Sequence, residues 1–169
     1  MVAEISISQR EGIVVGIGEI HTTRSTTAVI TCIGLGSCVA LCMYDADFHV
    51  GGMVHVVLPT CFGKDENNPA KYADTAVPLL IAEMAKQGVR RSSLIVKIAG
   101  GAQMSMAGGL NNTFKTGDRN VAEIETALKK EGLRVASADV GGSRGRTVRM
   151  YMETGKITVR TIGDIEREF

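Results

Sequence analysis

Apolar and polar positions along this chain follow two rhythms. Short runs rich in Ile, Val and Thr occupy residues 12–20, 27–33, 38–44, 50–58, 93–99, 133–140, 147–152 and 156–162, lengths that suit strands better than helices. The polar segment 21–25 reads as a link between the first two runs, and residues 45–48 as the turn of a hairpin that Pro59 ends. Residues 153–155 read as a second hairpin turn, and residues 60–71, with Cys61 and Gly63 among charged and amide side chains, as a surface loop. The other rhythm is helical. Val77, Leu80, Ile81 and Met84 form one stripe between Asp74, a plausible N-cap, and Gly88, a stop; Val121, Ile124 and Leu128 do the same between Asp118 and Gly132. Pro78 is compatible with the first helix if it sits in the first turn, whose amides lack intrahelical partners anyway. Strands outnumber helices and several are joined by hairpins, so the expected fold is α+β, with mixed or antiparallel sheets packed against outer helices.

Composition narrows the function. A chain of 169 residues fits one domain, 1–169, with 1–11 as a variable N-terminal extension. Lys plus Arg is 19 against 18 for Asp plus Glu, a formal charge of +1 that gives no long-range pull toward nucleic acid or anionic lipid. Aromatics at 4% and the absence of Trp argue further against stacking on bases. The start lacks the basic, then apolar, pattern of a signal peptide, and no apolar run approaches the ~18 residues of a membrane span. A cytoplasmic protein without membrane insertion is expected. Its four cysteines are too few for a disulfide scaffold and read as core or reactive thiols.

The chemistry concentrates at Thr31-Cys32-Ile33-Gly34-Leu35-Gly36-Ser37-Cys38-Val39. Glycines before a serine and a cysteine let the backbone turn sharply and let another molecule approach, so Cys38 can be presented rather than buried. If the 45–48 turn is symmetric, residues whose numbers sum to 93 face each other. Tyr44 then meets His49, Cys42 meets Gly51, and Cys38 meets His55 within the roughly 4.5–5.5 Å that separates opposed Cβ atoms. An imidazole at that distance takes the thiol proton and returns it to a leaving group, the logic of acyl transfer through a thioester. Backbone amides at Gly36, Ser37 or Cys38 are candidates for stabilising the oxyanion. A thiol activated this way is expected to alkylate well below the pH at which free cysteine does.

Competing readings are weaker. Cysteine is often simply buried, and a Cys–His neighbourhood in a strand pair is often packing. Cys32, Cys38, Cys42, His49 and His55 lie close in sequence, but Cys38 and Cys42 on one strand are roughly 13 Å apart at ~3.3 Å per residue, which disfavours a shared zinc ion. Gly16-Ile17-Gly18 and Gly34-Leu35-Gly36 begin like dinucleotide fingerprints, yet His21 and Val39 stand where a third glycine belongs. No metal and no cofactor are therefore expected. Arg144, Arg146 and Arg149 read by default as a solvated edge.

From about residue 16 onward the chain resembles the chemoreceptor glutamine deamidases called CheD. The resemblance rests on Gly34-Leu35-Gly36-Ser37-Cys38-Val39, on His55 within Gly51-Gly52-Met53-Val54-His55-Val56-Val57-Leu58-Pro59, and on Lys71-Tyr72-Ala73-Asp74-Thr75-Ala76. It continues through Lys97-Ile98-Ala99-Gly100-Gly101-Ala102, Gly117-Asp118-Arg119-Asn120 and Gly141-Gly142-Ser143-Arg144. The resemblance implies a cytoplasmic hydrolase of chemotaxis that converts glutamines on receptor signalling helices to glutamate and releases ammonia, in some members also hydrolysing glutamate methyl esters. It implies Cys38 as nucleophile, His55 as general base, a fold like that of toxin-deamidase cysteine hydrolases, and a CheC-type phosphatase as partner. The family's third catalytic residue, a threonine six positions before the cysteine, is Cys32 here. Thr31 beside it points to the other face unless the strand is bulged, so Cys32 either orients His55 weakly or is a core cysteine. A chain that keeps the scaffold only to bind a phosphatase or receptor is the alternative.

Overall fold

The computed structural model describes residues 9–63, 67–104 and 115–169. The expected N-terminal extension and the middle of the loop after Pro59 lie largely outside these residues. Ten strands and two helices are described, in the order β1 (Glu11–Val14), β2 (Ile20–Thr23), β3 (Ala28–Leu35), β4 (Val39–Asp45), β5 (Val50–Val56), α1 (Ala73–Lys86), β6 (Ile95–Gly100), α2 (Thr116–Lys130), β7 (Ser137–Val140), β8 (Arg146–Tyr151), β9 (Lys156–Thr161) and β10 (Arg167–Glu168).

They form two five-stranded sheets. Sheet A runs β1-β3-β8-β9-β10 and sheet B β2-β5-β4-β6-β7. Each is mixed: β1 is parallel to β3 and β7 to β6, while the other pairs are antiparallel. The α+β architecture expected from the pattern is thus observed.

Sheet B is the middle layer. Every residue of β4 and β5 is buried, which is why both read as unbroken apolar runs instead of alternating ones. On one face Val39, Leu41, Met43, Val54 and Val56 pack under α1 and α2. On the other Ala40, Cys42, Tyr44 and Met53 meet Ile30, Cys32, Leu35, Val148 and Met150 of sheet A. The two faces alternate along the strand, so each residue's number decides which core it enters. Burying each of the larger side chains contributes about 1.5–3 kcal/mol.

Several boundaries differ from the pattern for local reasons. Residues 12–20 split into two strands because Gly18, at φ +68°, turns the chain between them, and His21 to Thr23 then pair with β5 instead of linking strands. α1 begins at Ala73, so Asp74 lies inside it; the Asp74 carboxylate accepts the Cys61 N–H at 3.1 Å, and Pro78 falls beyond the first turn. α2 likewise begins before Asp118. β10 has two exposed residues and no apolar rhythm to announce it.

Candidate active site

The register of the β4–β5 hairpin is set by Asp45, which pairs with Val50 and accepts the Phe48 N–H at 2.8 Å through its side chain. The loop is therefore 46–49, with His49 at φ +50°, and opposed residues sum to 95. Ala40 faces His55, Cys42 faces Met53 and Tyr44 faces Gly51. The expected direct oppositions are displaced by one step along each strand. Because the shift moves each pairing by two residues in total, it preserves faces: Cys38, packed against the core between the sheets, and His55, whose ring meets Val15, stay on the side of sheet B that looks toward sheet A. Tyr44 and His49 still touch, Oη to Nδ1 at 3.3 Å, but as side chains around the turn.

His55 is 3% exposed and is held by the segment between β1 and β2. Its backbone N–H donates to the Glu19 carbonyl and its carbonyl accepts from Gly18 N–H, both at 3.0 Å. Its Nδ1 lies 3.2 Å from the Val15 carbonyl. A carbonyl only accepts, so Nδ1 carries the proton and the neutral ring presents Nε2 as a bare lone pair. Nε2 is buried and has no hydrogen-bond partner among the described residues. Val15 is fixed in turn, since its own N–H donates to the Thr31 carbonyl at 2.8 Å. Burial lowers the pKa of His55 below that of an ordinary histidine, opposed by the bond to Val15 and by the Glu19 carboxylate. Neutral imidazole is the resting form.

Cys38 stands just before β4, half-buried, against the core between the sheets. The backbone around it is gripped from three directions. Its carbonyl accepts from Gly101 N–H and the Gly36 carbonyl from Ala102 N–H, each at 2.8 Å, while the Asn120 side chain holds the Ser37 carbonyl at 2.9 Å. Gly100, at φ +124°, abuts the Cys38 carbonyl so closely that any β-carbon there would collide with it. Gly36 and Ser37 remain partly exposed, and no carbonyl among the described residues accepts from their amides.

Burial raises the Cys38 pKa, offset in part by its own backbone N–H directed at the sulfur. The expectation of early ionisation is corrected by this: with a raised thiol and a lowered imidazole, the resting pair is neutral. A base that takes the proton as attack proceeds suits this pair better than a preformed thiolate.

Cys32 is fully buried in β3 and its thiol donates to the Val15 carbonyl at 3.6 Å. It shares an acceptor with His55 Nδ1 and makes no hydrogen bond to the ring itself. Burial pushes its pKa far above the ordinary thiol range, and that of Cys42 up to about 12. The bulge in β3 falls after Cys32, between it and Leu35, so Thr31 keeps the opposite orientation.

The arginines are not a free edge. Arg144 forms a two-pronged pair with Asp164 at 2.9 and 3.0 Å, Arg149 meets Glu166 at 3.1 Å, and Arg146 is buried against the Asp139 carboxylate and the Gly141 carbonyl. Gly141 N–H donates to the Gly100 carbonyl and Gln103 N–H to Gly142, which places the 141–145 loop beside the Cys38 segment.

The sequence assigns no role to Val15, and names Asn120 only as part of a motif. A backbone carbonyl leaves no trace in sequence. Asn120 had a signal, because it continues the stripe of Ile124 and Leu128 back to a polar residue on an apolar helix face.

The family model described as CheD chemotactic sensory transduction matches residues 57–161. A relative from Desulfitobacterium hafniense, named probable chemoreceptor glutamine deamidase CheD, is 43% identical over 90% of this chain and 95% of its own. The chemoreceptor glutamine deamidase CheD of Thermotoga maritima is 44% identical over 91% of this chain and 94% of its own. A relative of the same probable function from Symbiobacterium thermophilum is 42% identical over 96% of this chain and 99% of its own.

Proposed function

This chain belongs to the CheD family, and from that premise we propose that it deamidates glutamine side chains of chemoreceptors, with Cys38 as nucleophile and His55 as general base. The observation that carries the reading is the unpartnered Nε2 of His55, on the same face of sheet B as Cys38, with its tautomer set by the Val15 carbonyl. As the Cys38 sulfur attacks the glutamine carboxamide carbon, Nε2 takes the thiol proton. The oxyanion is met by amides of Gly36, Ser37 or Cys38. The C–N bond then breaks, His55 passes its proton to the departing nitrogen, and ammonia leaves a thioester. Water loses a proton to Nε2 and attacks, the C–S bond breaks, the departing sulfur takes that proton back from Nε2, and glutamate, free thiol and neutral imidazole result. The same steps accept a glutamate methyl ester, with methanol leaving in place of ammonia.

Val15 takes the orienting role that the resemblance assigned to the third residue, and Cys32 only shares its carbonyl. Cys32→Ala is expected to leave kcat within about threefold of the parent and to cost about 1 kcal/mol of stability, read by turnover and thermal melting. A loss of kcat of order 10²-fold would return Cys32 to the machinery.

The rate requires neutral His55, and burial holds its pKa below the ordinary 6.5. Activity is therefore lost only as pH falls through that lowered value, and kcat/KM is expected to stay level from neutrality down to about pH 6.5. An acid limb centred above 6.5 would contradict a neutral resting base.

No helix of the described residues is long and apolar enough to cross a membrane. Receptor signalling helices lie in the cytoplasm, so the proposed activity entails a cytoplasmic location; that the chain acts as one domain, with a CheC-type phosphatase as partner, is part of the same proposal and rests on the family resemblance. The test is mass spectrometry of receptor fragments after incubation: glutamine peptides should gain the mass of an amide-to-acid conversion as ammonia appears. Unchanged peptides with retained binding would favour a binding module.

A further inference from the structure

We propose that Asn120 is a positioning residue that sets the offset between Cys38 and His55. The inference rests on the site proposed above. The paired ladder of β4 and β5 ends at Val39 opposite Val56. Just beyond it, the Asn120 Nδ2 donates to the Ser37 carbonyl and to the Val57 carbonyl, both at 2.9 Å. A carboxamide nitrogen has two hydrogens, and both are used. One carbonyl belongs to the residue before Cys38 and the other to the second residue after His55, so one side chain bridges the two segments that carry the nucleophile and the base. It serves as a rung where the ladder has stopped.

Asn120 is fully buried; both of its donor hydrogens are used, while its Oδ1 has no partner among the described residues, so the two bonds to carbonyls are what hold the side chain in place. A second observation shows how it gets there. The first turn of α2 packs directly on the segment after β6: a β-carbon at Gly117 would collide with the Gly101 and Ala102 carbonyls, and one at Gly101 would sit 2.7 Å from Val121. Gly101 N–H in turn holds the Cys38 carbonyl. The glycines at 100, 101 and 117 let helix, loop and Cys38 segment approach closely enough for a side chain as short as asparagine to span them.

Asn120 touches neither the sulfur nor the imidazole, so its loss alters where they sit. A displacement near 1 Å in such a pair costs up to about 10²-fold in rate. The experiment compares Asn120→Ala and the near-isosteric Asn120→Asp, which fills the same space but offers no N–H to either carbonyl. Ammonia release from receptor fragments gives kcat and KM; iodoacetamide labelling of the Cys38 peptide, followed by mass spectrometry across pH, reports the thiol's surroundings without receptor; thermal melting reports the fold.

Both variants are expected to lose at least about tenfold in kcat with KM within about twofold. The pH midpoint of Cys38 labelling is expected to move toward that of an unstructured cysteine, about 8.5, as the segment loosens. Lowered melting temperatures with kcat and the labelling midpoint unchanged would overturn the proposal. So would failure of both variants to fold, which would make Asn120 a purely structural group. If the parent protein releases no ammonia, the deamidase reading fails, and the labelling midpoint alone decides the role of Asn120.

Discussion

Replacing Cys38 by alanine is expected to abolish ammonia release from receptor fragments while leaving the protein folded. The two halves of that expectation have separate causes. Cys38 is half-buried at the start of β4, and its thiol makes no bond on which the hairpin depends. Removing one sulfur at such a site costs on the order of 1 kcal/mol, or about 2–4 °C in melting temperature for a chain of this size. The backbone grip of Gly101, Ala102 and Asn120 acts through carbonyls that alanine retains. Catalysis, by contrast, has no exposed substitute thiol: Cys32 and Cys42 are fully buried and burial holds both as neutral thiols, and Cys61 is buried in the loop that Asp74 of α1 holds. Ammonia assays beside melting curves check both halves, and residual activity in a folded alanine variant would dispose of the mechanism.

His55→Ala is expected to slow turnover by a factor of order 10² or more. Alanine here also creates a cavity and leaves the Val15 carbonyl with only the weak Cys32 thiol as donor, a loss of about 1 kcal/mol for the hydrogen bond alone. His55→Asn separates the effects. Its side-chain N–H replaces Nδ1 as donor to Val15 but supplies no base, so melting temperature should recover toward the parent value while kcat stays low. If asparagine restored both, the imidazole would be a structural group and another residue would activate the thiol.

Much of this arrangement was legible in the sequence because it depends on alternation. The runs over β4 and β5 stand out as strands, and alternation along them puts Cys38 and His55 on one face. They are not directly opposed, because the Asp45 side chain closes the turn one residue later than a symmetric 45–48 turn. The shift was even, which is why the chemistry survived it; a one-residue slip would have sent His55 toward α1. The strap from Val15 to Glu19 was hidden inside a run that looked like one long strand, since only Gly16 and Gly18 hinted at the turn. The solvated edge expected of the arginines holds for Arg144, which stays exposed beside Asp164, and fails for Arg146, whose burial against Asp139 is a tertiary contact that no local pattern records. Asn120 was visible as a motif residue, but only the carbonyls it bridges reveal a role.

The most direct test of the central claim is to acid-quench the protein early in its reaction with a receptor fragment and map covalent adducts by peptide mass spectrometry. A thioester on the peptide containing Cys38, formed as ammonia is released and absent from Cys38→Ala, is the predicted result. Ammonia release with no adduct on Cys38, or with the adduct on another cysteine, would contradict the account.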